Sequence, residues 1–313
     1  MHGQFVWYEL TTPDVDAAKK FYPQITGWGT QQFDNDYTMW TTRGVPFAGI
    51  FRLGEEQRGK GIPPNWMPYV DVDSVDETAR KAQFLGGKVK HGPQEIPGTG
   101  RFAVLQDPQG ATFGVYKSNK SSQAWDGTPI VGRFSWHELM TTDYRKAFEF
   151  YRQLFGWQKE GELQSPVGPY VMYGMKGKRY GGMYNRPANM ASMQPFWLLY
   201  VNVPDVKKAA DLVTKSGGFI QQPPMVVPGE TGGMIAVFGD AQGVGFAVHQ
   251  TGPGAPKAAG PPATATRKAP PPRPKTKAAA KPKSRSAATK APAAKKKSAA
   301  KKATRKKAKA KRR

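Results

Sequence analysis

The sequence predicts an α+β fold in which a strand, helix and three-strand module occurs four times as a tandem duplication, with a basic tail behind it. Three observations lead there. An internal repeat spans most of the chain, strand and helix periods alternate inside each repeat, and the composition breaks near Thr251.

The repeat opens with Phe5-Val6-Trp7-Tyr8-Glu9-Leu10, which returns as Phe134-Ser135-Trp136-His137-Glu138-Leu139. At the same offset of 129, Phe21-Tyr22 and Gly27-Trp28 return as Phe150-Tyr151 and Gly156-Trp157. Later segments keep the register with small insertions: Trp66, Tyr69 and Val70 match Trp197, Tyr200 and Val201, and Asp107-Pro108-Gln109-Gly110 matches Asp240-Ala241-Gln242-Gly243.

In order along each half, Phe5, Trp7 and Glu9 alternate with Val6, Tyr8 and Leu10, as a strand with two different faces requires. A helix follows. Ala18, Phe21, Tyr22 and Ile25 fall on one helical stripe, repeated by Ala147, Phe150, Tyr151 and Leu154, behind Asp14 and Asp143 as caps. Pro23 is expected to end or bend the first copy early. Short β-rich runs, Tyr37 to Thr42 and Val45 to Phe51, come next. The second module opens at Trp66 to Val72, and its helix carries Val75, Ala79 and Ala82 before Gly86-Gly87. In the second half, Val206, Ala210 and Val213 precede Gly217-Gly218. Strand pairs flank Gly98-Thr99-Gly100 and the run from Gly229 to Gly233. The domain boundaries expected are 1-120 for the first pair of modules, 121-130 for a linker, 131-250 for the second pair and 251-313 for the tail.

The formal net charge of +24 belongs to the tail: from Thr251 onward there are 16 Lys and 6 Arg with no Asp, Glu, Phe, Trp or Tyr, leaving 25 basic and 23 acidic residues in the body. With nothing to bury, the tail cannot offset the entropy of ordering and is expected to be disordered. The chain has no cysteine, which excludes disulfides, thiolate metal sites and cysteine nucleophiles. No apolar run is long enough to span a bilayer, and the start lacks the features of a secretory signal, so a cytoplasmic protein is expected.

These features together resemble the vicinal oxygen chelate superfamily, which includes glyoxalases, extradiol dioxygenases and bleomycin-resistance proteins. The resemblance rests on the opening strands ending Leu10-Thr11-Thr12-Pro13-Asp14 and Leu139-Met140-Thr141-Thr142-Asp143, the Ala-x-x-Phe-Tyr helices, the Gly-Trp pairs and the Asp-Pro-x-Gly turn before the last strand. It covers roughly Phe5 to Gln250 and implies paired modules curled into half-open cups that bind ligands. It also implies a facial set of His and Glu around a metal in the metal-dependent members. Counting back seven residues from the Asp after each opening strand gives Trp7, Trp66 and Trp136, and alignment to Trp66 gives Trp197. In the last strands the expected ligand positions hold Gly114 and Ala247. Tryptophan, glycine and alanine are not ligands for such an ion, so neither a divalent metal nor another cofactor is expected.

Glu9 and Glu138 share strand parity with Trp7 and Trp136, so both are candidates for a carboxylate that binds a cation or acts as a general base, or that simply ties neighbouring strands together. His249, standing where Tyr116 stands in the first half, is a third catalytic candidate or a wall residue. Trp7, Trp66, Tyr116, Trp136 and Trp197 are the candidate ligand-binding residues, as flat walls for a planar or cationic molecule or as core filling.

The tail resembles those of linker histones and bacterial histone-like proteins. Its cations, densest at Lys295, Lys296, Lys297, Lys301, Lys302, Arg305, Lys306, Lys307, Lys309, Lys311, Arg312 and Arg313, release counterions from phosphates, and without aromatic residues binding to DNA or RNA is expected to be blind to sequence. Such binding would place the protein at the nucleoid. The reading that follows is a metal-free small-molecule-binding protein tethered to nucleic acid. Its rivals are a lyase or oxygenase with an atypical site and a structural nucleoid protein. No membrane partner is expected, and four modules in one chain make a monomer the expected state.

Overall fold

A computed structural model describes residues 2–34, 37–59, 61–120, 130–227 and 230–252. The tail expectations, and all but the last residue of the expected linker, lie outside them. The first half contains β1 (Phe5–Thr12), α1 (Val15–Thr26), β2 (Gly29–Gln32), β3 (Tyr37–Thr42), β4 (Val45–Arg52), the short α2 (Glu55–Gly59), β5 (Asn65–Asp71), α3 (Val75–Phe84), β6 (Lys88–Ile96), β7 (Gly100–Gln106) and β8 (Thr112–Ser118). The second half repeats the pattern with β9 (Phe134–Thr141), α4 (Tyr144–Phe155), β10 (Gln158–Ser165), β11 (Gly168–Met175), β12 (Lys178–Asn185), β13 (Phe196–Asn202), α5 (Val206–Lys215), β14 (Phe219–Val226), β15 (Met234–Gly239) and β16 (Gly245–Gln250).

Consecutive modules pair within each half. The first sheet runs β2-β3-β4-β1-β5-β8-β7-β6 and the second β10-β11-β12-β9-β13-β16-β15-β14. At the centre of each, the opening strands of two modules meet antiparallel, β1 on β5 and β9 on β13. Each opening strand also pairs parallel with the last strand of its own module.

One face of each sheet joins a large common core, and the other lines a cup. Phe134, Trp66 and Trp28 of the core cluster together, and Phe5 of the first sheet stacks on His137 of the second at 3.7 Å. The strict alternation expected for Phe5, Trp7 and Glu9 breaks at a register shift between Phe5 and Trp7. The bulge turns Phe5 to the common core and lets Val6 pack with Trp7 in the cup.

α1 and α4 carry the stripes read from the sequence, each capped by its Asp side chain and ended by a glycine at positive φ, Gly27 at 69° and Gly156 at 75°. Pro23 does not end α1, which runs on to Thr26 and matches α4 at 12 residues. Tyr22 and Ile25, buried on either side of it, hold the last turn in place, and burial of that turn outweighs the one backbone bond that proline cannot make.

The residues that mark the repeat also bind the halves to each other. Tyr22 donates to Asp240 at 3.0 Å, and Tyr151 donates to Asp107 at 3.1 Å. The other oxygen of each Asp accepts backbone N–H groups of its own turn, from Gln109, Gly110 and Ala111 in one half and from Gln242 and Val244 in the other. Gln242 accepts the backbone N–H of Asp14, and Gln109 that of Asp143, so each turn also fixes the start of the opposite half's first helix. The indole of Trp28 donates to Gly132 O, and that of Trp157 to Gly3 O, both at 2.7 Å.

Tyr22 also accepts the indole N–H of Trp66 at 3.0 Å. Tyr22→Phe therefore strands two buried polar partners, Asp240 and Trp66. It should lower unfolding free energy by about 1–3 kcal/mol in urea titrations, with Tyr151→Phe costing a comparable amount. No loss in either variant would mean that the cross-half bonds are incidental.

Candidate functional site

The N-caps of the four module helices are Asp14, Ser74, Asp143 and Asp205. Counting back seven residues from each gives Trp7, Met67, Trp136 and Leu198, all of which pack in cup clusters. The expectation of four tryptophans used Asp73 as the anchor in module two, one residue short of the true cap. Trp66 and Trp197 consequently lie in the common core rather than in a cup. Trp66 faces the core because it pairs with Leu10, and Trp197 because it pairs with Leu139. Their indoles sit against Tyr22 and Tyr151, with no wall for a ligand.

The first cup is lined by Trp7, Tyr37, Met39, Met67, Tyr69, Ile96, Phe102, Val104 and Tyr116 around Glu9. It is packed shut: Trp7 and Glu9 are each 4% exposed. Glu9 accepts from the Tyr69 hydroxyl at 2.6 Å, Trp7 donates to Tyr37 at 3.1 Å, and Tyr116 donates to Thr99 O at 2.9 Å.

The second cup holds the same frame with a different filling. Trp136 donates to the Tyr170 hydroxyl at 2.7 Å, and Tyr170 donates to Glu138 at 2.9 Å. Tyr200, opposite Trp136 across the β9–β13 pair, is a second hydrogen-bond partner of Glu138. Here Trp136, Glu138, Tyr170 and Tyr184 are only partly buried. The difference lies on the outer strands. Phe102 and Tyr116 form a pair in the first cup, and their counterparts in the second are Ile235 and His249. Two large rings become a smaller aliphatic and an imidazole in the cup where Glu138 is only partly buried.

Burial pushes the Glu138 carboxyl up to about 7, while its bonds to Tyr170 and Tyr200 work in the opposite direction. A group poised there can hold or release a proton at neutral pH. His249 is not brought to it. It stands at the end of β16 with Nε2 3.1 Å from Glu230. His137, given no role from sequence, lies on the core side, where burial lowers it to about 3. It is neutral, with Nδ1 donating to Tyr180 O and Nε2 accepting from Tyr8.

On the last strands Gly49 pairs with Glu9 and Gly182 with Glu138, while Gly114 pairs with Tyr69 and Ala247 with Tyr200. At all three glycines a tyrosine ring fills the space, that of Tyr37 at Gly49. A Cβ on Gly114 would lie 2.1 Å from Tyr69, and one on Gly182 2.0 Å from Tyr170. No group of three His, Cys, Asp or Glu suited to a metal occurs among the described residues. The side chains at these positions do not fit the metal set that the resemblance implied. Sequence reasoning missed Tyr37, Tyr69, Tyr170, Tyr184 and Tyr200. The available signal was Gly114 directly opposite Tyr69, with Gly49 and Gly182 diagonal to Tyr37 and Tyr170 on neighbouring strands.

With a folded-state pKa near 7 against an ordinary 4.5, Glu138 binds its proton more tightly in the folded protein. Its contribution to stability is therefore complete below about pH 4.5 and is lost as pH rises through about 7. Unfolding melts across that range should show the wild type losing stability relative to Glu138→Gln as pH rises, then running parallel to it. Parallel behaviour throughout would contradict the raised carboxyl.

Comparison with known proteins agrees with this architecture. The sequence profile of the Glyoxalase/Bleomycin resistance protein/Dioxygenase superfamily matches residues 4–115 and 133–248. CFP32 of Mycobacterium tuberculosis, a protein named as a glyoxylase, is 30% identical over 257 residues, covering 79% of this chain and 94% of that one. The anthracycline biosynthesis protein DnrV of Streptomyces peucetius is 27% identical over 276 residues, covering 82% and 97%. Among solved structures, the Mn(II)-bound glyoxalase of Novosphingobium aromaticivorans has a TM-score of 0.55 at 16% identity, covering 80% of this chain and 82% of that one. The 2,2',3-trihydroxybiphenyl 1,2-dioxygenase of Sphingomonas wittichii has a TM-score of 0.59 at 13% identity, covering 80% and 91%, a likeness of fold. The duplicated modules, their order in the sheets and the profile match over both halves place the chain in the Glyoxalase/Bleomycin resistance protein/Dioxygenase superfamily.

Proposed function

We propose that the protein captures a small planar molecule in its second cup, without a metal, while its tail holds it on nucleic acid. The observation that carries this is the asymmetry of the duplicated cups. The same Trp, Tyr and Glu frame is sealed in the first half and only partly buried in the second. Trp136, Tyr170 and Tyr184 give flat apolar walls, and Glu138 gives one polar group that fixes orientation, the usual division in a ligand site. A relative named for anthracycline biosynthesis, a chemistry of fused planar rings, supports an aromatic ligand. The absence of suitable donors at the ligand positions supports the metal-free part.

Metal analysis of the purified chain, with thermal-shift measurements against a panel of planar compounds, tests this reading. Little or no stoichiometric metal and a rise in Tm with some compounds are expected. The double variant Ile235→Phe with His249→Tyr copies the filling of the first cup and should abolish the rise while leaving the basal Tm close to wild type. A rise that survives both changes would put the ligand elsewhere, and stoichiometric metal would overturn the metal-free reading.

For the tail, the support is 22 cations in 63 residues without an acid or an aromatic side chain. If about 10 phosphates are neutralised, the log-log salt slope of binding is about −9. Fluorescence anisotropy should find equal affinity for unrelated duplexes and loss of binding when the chain ends at Gln250. A strong sequence preference, or binding that survives truncation, would sink this part of the reading.

A further inference from the structure

We infer that the molecule taken by the second cup is an organic cation, a charged nitrogen on a flat apolar body, with Glu138 as its counter-charge and the rings of Trp136, Tyr170 and Tyr184 beside it. The inference rests on the second cup being the binding site and adds the charge of the ligand.

The hydrogen bonds around Glu138 are arranged for the ionised carboxylate. Tyr170 donates to it and already accepts the Trp136 indole N–H, so this phenol has spent its proton on Glu138. Tyr200 is the second phenol bonded to the carboxyl. Two donors favour the charged form, yet among the described residues no basic side chain acts on the carboxyl. The groups acting on the carboxyl are burial and these two phenols, with no basic side chain among them.

The other charged or titratable groups nearby are engaged elsewhere or are neutral. Tyr184 on β12 is a phenol held in its neutral form by burial, and Tyr173 on β11 donates to His137 O in the core. His249 on β16 is paired with Glu230. Arg179 on β12 lies beside Met172 on the same face, toward β10, and is not among the groups acting on Glu138. A cup with an aromatic lining and one carboxylate lacking a counter-ion suits a cation, which gains from the ring faces and the carboxylate together. A neutral planar ligand would instead deepen the burial of Glu138 and favour its protonated form. The two cases therefore predict opposite responses to pH.

The test titrates the full chain with 1-methylquinolinium and with 1-methylnaphthalene, its neutral isostere, following tryptophan fluorescence from about pH 5 to about pH 8. The cation should bind at least about tenfold more tightly at the upper end and weaken about tenfold per pH unit below about 7, because each binding event requires an ionised Glu138. Glu138→Gln should remove both the preference and the pH dependence while retaining the neutral compound. The wild-type comparison stands even where that variant folds poorly. Equal affinity for both compounds, or tighter binding as pH falls, would overturn the cation and leave the site standing. Failure of both to bind would overturn the site as well.

Discussion

The fold depends on a reciprocal bond in which a tyrosine from the first helix of each half reaches an aspartate in the last turn of the other. Asp107 and Asp240 each use one oxygen to tie their own turn and the second to hold a helix from across the molecule. Both carboxyls are raised by burial, and each stays where it is because donors surround it. Around this bond the other shared features take their places. The Gly-Trp pair that ends each helix sends its indole to a backbone carbonyl of the opposite half, and the Gln of each turn caps the opposite helix.

That arrangement determines where chemistry can occur. One face of each sheet and the α1 and α4 stripes merge in one core, which leaves the opposite face of each sheet to line a cup. Their strand frames are nearly identical, so their difference comes down to side-chain volume on the outer strands. Phe102 and Tyr116 close one cup, while Ile235 and His249 stand in the other, where Glu138 is only partly buried. The proposed site thus differs from the first cup by omission of bulk around a polar frame common to both halves.

The fold was legible because duplication shows each module twice, and because helix stripes and turn glycines are local signals. The bulge before Trp7 was not legible, since alternation carries no mark of an extra residue, and it moved Phe5 to the opposite face. Pro23 misled because its cost is local, whereas the burial of Tyr22 and Ile25 that outweighs it comes from distant segments. The cup residues were partly legible. Glu9, Glu138, Trp7 and Trp136 share a parity that the structure respects, but Trp66 and Trp197 were misplaced by one residue because Ser74, and not Asp73, caps α3. The phenols around the carboxyls went unread for a different reason: their role exists only across strand pairs, where a tyrosine on one strand needs a glycine on the next.

The reciprocal bond also orders events as the chain is made. Tyr22 waits for Asp240, 218 residues downstream, and Phe21 packs against Phe246 in the same region. At ordinary rates of synthesis, that interval lasts on the order of ten seconds or more. During it Phe134 is already available to cover Trp28 and Trp66, but Tyr22 and Phe21 lack the partners that the end of the body supplies. The first half of this protein is thus completed by the end of the second, and a nascent chain that stalls before Asp240 leaves Tyr22 without its Asp240 and Phe246 partners.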